Sequence, residues 1–133
     1  MMNPGLLIDT DILIDVSRGI ATAIEFIATR EQAVVVGISL ITRMEILAGC
    51  RDKQEMAKAM RFLSRFQTVG IDESASQTAE RLFQEYRLSH GMMIPDCLIA
   101  ATAISLDIPL ATRNLGDFRF IPELRLETCG DVS

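Results

Sequence analysis

Four acidic residues stand in or beside apolar segments of this chain, where a folded domain usually places uncharged side chains. These residues are Asp9, Glu45, Asp96 and Asp117. A carboxylate is rarely buried without a partner, and several carboxylates share one cleft only when a cation neutralises them. The pattern therefore predicts a binding site for Mg²⁺ or Mn²⁺.

Such a site would suit the hydrolysis of phosphodiesters. That reaction needs a nucleophile stronger than neutral water and a counter-charge for the phosphate, and a divalent cation supplies both. Oxygen ligands favour Mg²⁺ or Mn²⁺. Zinc is a poorer match, because His90 is the one histidine and the cysteines lack the spacing of a zinc site. We expect the three thiols, those of Cys50, Cys97 and Cys129, to be buried or inert.

Length and composition predict one domain spanning residues 1–133. Apolar residues make up 49% of the chain and aromatic residues 5%, so the core must be built mainly from aliphatic side chains. No apolar run reaches the roughly 18 residues that cross a bilayer, and the N-terminus lacks the pattern of a signal peptide. We therefore expect a cytoplasmic protein that does not bind membranes.

The net charge of −5 argues against a nucleic-acid partner, because proteins that bind phosphate backbones usually have a basic surface. That argument weakens if four of the eighteen acidic residues bind metal, because fourteen then remain to balance thirteen basic ones. Six basic residues also lie within the stretch 43–65, and a local basic face is compatible with an acidic total. They are Arg43, Arg51, Lys53, Lys58, Arg61 and Arg65.

Short apolar segments alternate with longer amphipathic ones, which is typical of alternating strands and helices. Strands are predicted at 6–9, 33–38, 67–71, 110–112 and 125–128. Helices are predicted at 11–17, 21–29, 40–48, 53–66, 73–90 and 95–108. Ser39, Asp52 and either Asp72 or Ser74 have the side chains that cap helix N-termini, and Pro109 is predicted to end the last helix.

This alternation predicts a mostly parallel sheet of four to five strands that is covered by helices on both faces. Ligands of such sheets bind at the carboxyl ends of the strands. Asp9 ends the first strand, and Asp117 lies in the loop after the fourth. Asp96 begins an apolar helix, whose N-terminus favours negative charge. Glu45 stands in line with Ile41 on a stripe that is predicted to pack inward, so all four carboxylates are expected to converge.

Four segments that contain these acids occur in an order and spacing that resemble a known family. They are LIDTDIL at 7–13, RMEILAG at 43–49, IPDCLIAATA at 94–103 and LATRNLGDF at 110–118. Together they resemble a PIN domain, and in particular the VapC type of toxin ribonuclease from bacterial and archaeal toxin-antitoxin pairs. The resemblance extends from residue 6 to about residue 126.

The resemblance implies a three-layer α/β/α sandwich and a Mg²⁺- or Mn²⁺-dependent endoribonuclease. Cleavage would proceed by attack of a metal-activated water on a phosphodiester of the RNA substrate, leaving a 5′-phosphate and a 3′-hydroxyl. The resemblance also implies a homodimer and a small DNA-binding antitoxin that inhibits the enzyme. Operator DNA would then be bound through the antitoxin and not by this chain.

Carried over position by position, the resemblance places the four acidic positions of the family on the residues named first. Asp9, Asp96 and Asp117 would hold one metal ion, and Glu45 would ligate it or share a second ion. Asp11 is expected to cap the following helix or to bind a metal-held water. Thr112 and Asn114 are expected to support the site from behind.

Two other functions stay open. The segment Asp9-Thr10-Asp11 after an apolar strand resembles the motif of haloacid-dehalogenase-like phosphohydrolases, in which Asp9 would attack phosphate directly. Leu13 stands where that family has Thr, which counts against it. The other possibility is a non-cleaving PIN-like module that binds RNA or a protein through an intact acidic pocket. Taken singly, each acid could also be a helix cap or a turn residue.

Overall fold

Five short strands form the centre of the protein in a computed structural model whose described part runs from residue 3 to residue 129. The strands are β1 (Leu6–Ile8), β2 (Val36–Ser39), β3 (Gln67–Val69), β4 (Leu110–Thr112) and β5 (Leu126–Thr128). They lie in the order β3-β2-β1-β4-β5, and every neighbouring pair is parallel. The prediction of a mostly parallel sheet of four to five strands is therefore confirmed.

Six α-helices and one short 3-10 turn connect the strands. The helices are α1 (Thr10–Ser17), α2 (Ala21–Ala33), α3 (Leu40–Ala48), α4 (Lys53–Leu63), α5 (Glu73–His90) and α6 (Ile94–Leu106), and the 3-10 turn is Leu115–Asp117. Two helices lie between each of the first three strands and the next, and the 3-10 turn lies between β4 and β5; each pair of helices supplies the length that a parallel crossover requires. None of the helices within residues 3–129 is long and apolar enough to cross a membrane.

Helices cover both faces of the sheet, as the α/β/α sandwich requires. On one face, Leu7 and Leu110 of the strands join a buried cluster with residues of α5 and α6. On the other face, Leu6 and Ile8 join a separate cluster with residues of α1, α2 and α4. Consecutive side chains of a strand point to opposite faces, so the three residues of β1 bury side chains in both clusters. The three-layer prediction is confirmed.

Three of the predicted helix caps are present. The side chain of Ser39 accepts a hydrogen bond from the backbone N–H of Ile41 at 3.2 Å. Asp52 Oδ1 accepts from the N–H of Glu55 at 2.8 Å, and Asp72 caps α5 in the same way. Each such cap contributes about 1 kcal/mol, because it satisfies a backbone donor that the helix itself leaves free.

Several predicted boundaries were wrong by a few residues. Helix α2 continues to Ala33, so β2 begins at Val36 and the predicted strand residues Val34 and Val35 precede it. Helix α4 ends at Leu63, and α6 ends because Asp107 adopts a left-handed conformation with φ 55°, before Pro109 is reached. Local propensity does not decide such ends, since packing and backbone hydrogen bonds override it.

The strand order creates a crevice at the carboxyl ends of the central strands β1 and β4. The chain moves outward from β1 to β2 and β3, then returns to place β4 on the other side of β1. Parallel sheets bind ligands at this reversal, because the two neighbouring loops leave in opposite directions and open a cleft. Ile8 of β1 pairs with Ala111 of β4. The residues that follow, Asp9 and Thr112, therefore meet at the floor of the crevice.

Phe118 anchors the 3-10 turn that carries Asp117, since its side chain is fully buried in the cluster with α6. We predict that Phe118→Ala lowers the free energy of unfolding by about 3–5 kcal/mol, because it leaves a cavity. Leu88→Ala is the matched control, since Leu88 is 99% exposed and its loss should cost less than about 0.5 kcal/mol. Urea denaturation of both variants measures the difference, and equal stabilities would contradict this packing.

Candidate active site

Asp9 lies at the bottom of the crevice, directly after β1, and only 6% of it is exposed. Its backbone continues the sheet by donating a hydrogen bond to the carbonyl of Ala111 at 2.9 Å. Its side chain caps α1, because Oδ1 accepts from the N–H of Thr10 at 2.8 Å. Oδ2 accepts from the hydroxyl of Thr112 at 2.8 Å. Both oxygens are thus held in place, and each retains a lone pair for another ligand.

Thr112, which the resemblance offered as a supporting residue, contacts both Asp9 and Asp11. It is fully buried, and its Oγ1 lies 2.8 Å from Asp9 Oδ2 and 3.3 Å from Asp11 Oδ2. One hydroxyl proton serves one acceptor at a time, so the shorter contact to Asp9 is the stronger bond. The same oxygen accepts a hydrogen bond from the backbone N–H of Asn114 at 3.1 Å. Thr112 therefore joins the loops after β1 and β4.

Asp11 does not cap α1, and the expectation that it would was wrong, because Asp9 already occupies the cap position. Asp11 instead faces the loop after β4, where its Oδ2 accepts a hydrogen bond from the backbone N–H of Arg113 at 3.1 Å. Its other oxygen, Oδ1, is buried and has no hydrogen-bond partner. A buried carboxylate oxygen without a partner costs free energy, so Asp11 belongs to the set of groups that a cation would stabilise.

Asp96 lies in the first turn of α6, half buried. Pro95 stands beside it at the start of the helix, where a missing backbone N–H has no cost. Six of the seven residues that follow it, at 97–103, are buried, which fixes the direction from which the carboxylate enters the crevice. Charges on Asp117, Glu45 and Asp11 all act on Asp96. These four carboxylates therefore share one electrostatic environment.

Glu45 is exposed on α3, and the prediction of an inward-facing position was wrong. Ile41, one turn earlier on the same stripe, packs partly buried against the core cluster that contains α6, whereas Glu45 lies beyond the edge of that core. Its Oε1 accepts a hydrogen bond from the hydroxyl of Thr10 at 2.8 Å, and the Oγ1 of Thr10 lies 2.9 Å from that of the buried Thr42. The sequence analysis did not predict a role for Thr10 or Thr42 in the site. The one signal in the sequence was the position of Thr10 directly after Asp9.

Asp117 is also exposed, at the end of the 3-10 turn. It lies at the rim of the site and contributes to the negative potential at Asp96. Asn114 is exposed as well. It contacts the site through its backbone N–H, which donates a hydrogen bond to Oγ1 of Thr112. Its side chain makes no capping hydrogen bond to the turn that it precedes. The site thus has a buried floor and an open rim.

The electrostatics of this floor are unfavourable for charged carboxylates. Burial, and next the charge of Asp11, raise the pKa of Asp9 to about 7, although the hydrogen bonds from Thr112 and Thr10 oppose the rise. Burial and then the charges of Asp117, Glu45 and Asp11 raise the pKa of Asp96 to about 6. Desolvation and like charge both disfavour ionisation. A cation in the crevice would remove this penalty.

The donor set fits Mg²⁺ or Mn²⁺, although the side chains as placed are not a ready cage. Within residues 3–129, no three His, Cys, Asp or Glu side chains are arranged so that they could hold a metal ion together. Mg²⁺ does not require such a cage, since it keeps several waters and is commonly bound through one or two carboxylates. The unpartnered Asp11 Oδ1 and the raised pKa values of Asp9 and Asp96 are the features that a hard cation would relieve.

The remaining predicted groups take no part in the crevice. Cys97 and Cys129 are buried, and burial raises the pKa of the Cys97 thiol to about 11, so it stays protonated at neutral pH. The predicted basic face is partly neutralised, because Arg51 pairs with Glu55 at 3.1 Å and Arg65 pairs with Glu31 at 2.7 Å.

We predict that Asp9→Asn stabilises the metal-free protein at neutral pH. An acid whose pKa is raised on folding stabilises the fold below its unfolded pKa and loses that contribution as pH rises through the folded value. In EDTA, the stability of wild type relative to Asp9→Asn should therefore fall between about pH 4 and pH 7, by up to about 4 kcal/mol. Chemical denaturation at each pH measures this. Asp107→Asn, at an exposed acid, is the control, and a pH-independent difference for Asp9→Asn would refute the argument.

Comparisons with known proteins agree with the geometry. The model of the PIN domain family matches residues 6–123. The chain is 36% identical to Ribonuclease VapC19 of Mycobacterium tuberculosis over 121 residues, which cover 90% of this chain and 96% of that protein. A solved toxin-antitoxin complex from Klebsiella pneumoniae contains a chain with 34% identity and a TM-score of 0.75, with 90% of this chain and 94% of that chain covered.

The fold alone is shared more widely. In the crystal structure of VapBC2 from Rickettsia felis bound to a DNA fragment from its promoter, one chain superposes with a TM-score of 0.79 at 24% identity, covering 92% of this chain and 97% of that chain. Fold similarity without close sequence identity speaks for architecture and not for chemistry. The family match spans most of the chain and contains all four predicted acids, so this protein belongs to the PIN domain family.

Proposed function

We propose that this protein is a divalent-metal-dependent endoribonuclease that acts as the toxin of a type II toxin-antitoxin pair. The single observation that carries the proposal is the crowding of Asp9, Asp11 and Asp96 in the crevice between β1 and β4, where burial raises the pKa of all three and the charges of neighbouring carboxylates raise the pKa values of Asp9 and Asp96 further. Perturbed carboxylates in a cleft are typical of functional sites. Relatives named as VapC ribonucleases support RNA as the substrate. They favour this function over the phosphohydrolase alternative.

Asp9 and Asp96 would hold Mg²⁺ or Mn²⁺, with Glu45 and Asp117 at the rim acting directly or through water. When bound, the cation lowers the pKa of a coordinated water and neutralises charge on the phosphate. The chain itself supplies the positioning. The N–H of Thr10 and the hydroxyl of Thr112 orient the two oxygens of Asp9, and the hydroxyl of Thr10 holds Glu45 towards the crevice.

The open rim would give an RNA substrate access to the carboxylates. Glu45 and Asp117 are exposed, so a phosphodiester within a long chain can reach the floor without entering an enclosed pocket. The N-termini of α1 and α6 both face this region, since they begin at Thr10 and Ile94 beside the two floor acids. Their dipoles favour negative charge and so reduce the cost of bringing a phosphate close to carboxylates.

The proposed partners follow from the same acidic crevice. The related structures from Klebsiella pneumoniae and Rickettsia felis are toxin-antitoxin complexes, and the second contains promoter DNA. A cognate antitoxin could inhibit this chain by placing a basic side chain among the carboxylates, since a charge-assisted contact would satisfy them as a cation does. We propose a cytoplasmic homodimer that meets operator DNA only through this antitoxin.

We predict that Asp96→Asn abolishes RNA cleavage while the protein stays folded. Loss of a ligand removes several kcal/mol of transition-state stabilisation, which corresponds to about 10³-fold or more in rate. Mg²⁺ should also raise the melting temperature of wild type and not that of the variant. Asp107→Asn, at the opposite end of the same helix, is the control and should behave as wild type. Full activity of both Asp96→Asn and Asp9→Asn would refute the proposed site.

We predict that Thr112→Val lowers kcat about 10- to 100-fold, because Asp9 loses the hydroxyl that orients it. Thr102→Val is the matched control, since Thr102 is also buried and its hydroxyl bonds only the carbonyl of Leu98 within its own helix. Both substitutions should cost similar stability, so activity at equal folded fraction separates positioning from folding. Equal kcat values for the two variants would show that Thr112 does not position Asp9.

A further inference from the structure

An aromatic cluster closes one side of the crevice at the end of α5. The rings of His90 and Phe120 are stacked, with centroids 4.1 Å apart and planes 19° apart. Tyr86 packs against both, at 4.9 Å from Phe120 and 5.7 Å from His90. The proposed chemistry of the acids does not use this cluster. Aromatic pairs stabilise a fold when they are buried, but His90 is exposed.

The cluster borders the same pocket as two of the carboxylates. A pocket of about 180 Å³ is lined by His90 and Phe120 together with Asp96 and Asp117. Gly116 also lines it, and the only heavy atom within 4 Å of a side chain built there would be one nitrogen of Arg119, at 3.9 Å. The aromatic rings and the proposed cleavage site are therefore adjacent parts of one open pocket.

The ring of His90 is held in place by its neighbours, although the residue is exposed. Its Nδ1 lies 2.7 Å from the hydroxyl of Ser89, and Phe120 covers one of its faces. Nε2 has no hydrogen-bond partner among residues 3–129. An exposed flat ring that its neighbours hold in place is preorganised to bind another flat ring, because little conformational entropy is lost on binding.

A positively charged side chain, that of Arg119, lies at the same rim. Arg119 is exposed and forms no ion pair with any acid of the described residues, and its guanidinium lies next to Gly116. The chain carries a net negative charge, so an unpaired guanidinium beside the carboxylates is significant. The phosphates of a polynucleotide need a positive contact at this place. A ring surface beside a basic side chain is the arrangement that binds single-stranded nucleic acid.

We propose that His90, backed by Phe120, is a stacking platform for a nucleobase of the RNA substrate, next to the phosphate that reaches Asp96 and Asp117. This inference rests on the proposed ribonuclease function and deepens it, since it names the part of the substrate that this side of the pocket binds. Stacking tolerates every base, because each has a flat face. The platform therefore sets affinity and register for unpaired RNA, and it leaves the reaction at the carboxylates unchanged.

Binding can be tested apart from cleavage. Short oligouridylates that carry one 2-aminopurine, placed at each position in turn, are titrated with the Asp9→Asn chain in Mg²⁺, since stacking quenches the fluorescence of 2-aminopurine. We expect quenching at one position and a Kd that rises about 5- to 100-fold in a chain that also carries His90→Ala. His90→Phe should retain the quenching and the original Kd, because it keeps a flat ring. Leu88→Ala, two residues earlier on α5, is the control.

Kinetics of the chains with intact Asp9 provide the second measurement. His90→Ala and Phe120→Leu should raise KM by a similar factor and leave kcat within about 3-fold, while His90→Phe restores KM. Phe120→Leu keeps apolar volume, so its effect reports loss of the ring and not of packing. Unchanged affinity and quenching in His90→Ala and Phe120→Leu would overturn the platform, even if RNA is cleaved. Quenching that depends on His90 without any metal-dependent cleavage would support the platform and refute the proposed function.

Discussion

Carboxylates are crowded where β1, β4 and α6 meet, and their mutual repulsion is the interaction around which the rest of the site is arranged. Burial alone disfavours a charged Asp9, and Asp11 adds a like charge beside it. The hydroxyl of Thr112 and the N-terminus of α1 offset part of this cost. A divalent cation would relieve the remainder, so under the proposed function an arrangement that weakens the free protein would be the source of metal affinity.

The crevice combines a rigid floor with an open rim, and the two parts have different physical origins. The floor is built on strand ends and on a helix whose central residues are mostly buried, so its carboxylates are fixed by the core. The rim residues Glu45 and Asp117 are exposed, and within residues 3–129 the hydroxyl of Thr10 is the hydrogen-bond donor that positions Glu45. Such a rim admits a long polymer, and the aromatic pair of His90 and Phe120 provides a surface for its bases. Fixed ligands and an accessible entrance suit an enzyme that cuts inside an RNA strand.

The acidic net charge is compatible with this function because the charges are unevenly distributed. Some basic residues are already paired within the fold, as Arg113 is with the buried Asp15 at 2.6 Å. Others, such as Arg119, form no ion pair with the described residues and lie beside the crevice. Local potential and not the total determines where a phosphate is attracted. The same crevice would attract a basic side chain of an inhibitor, so substrate and antitoxin would compete for one feature.

The sequence by itself determined the sheet, the layers, the caps at Ser39 and Asp52, and the positions of the acids, because strand and helix periodicity and cap chemistry are local. Only the tertiary structure decided what each acid contacts. Glu45 proved exposed, Asp9 rather than Asp11 caps α1, and the supporting hydroxyl of Thr112 comes from 103 residues away. Burial, hydrogen-bond partners and shared charge depend on neighbours that are distant in the chain, and no local pattern contains them.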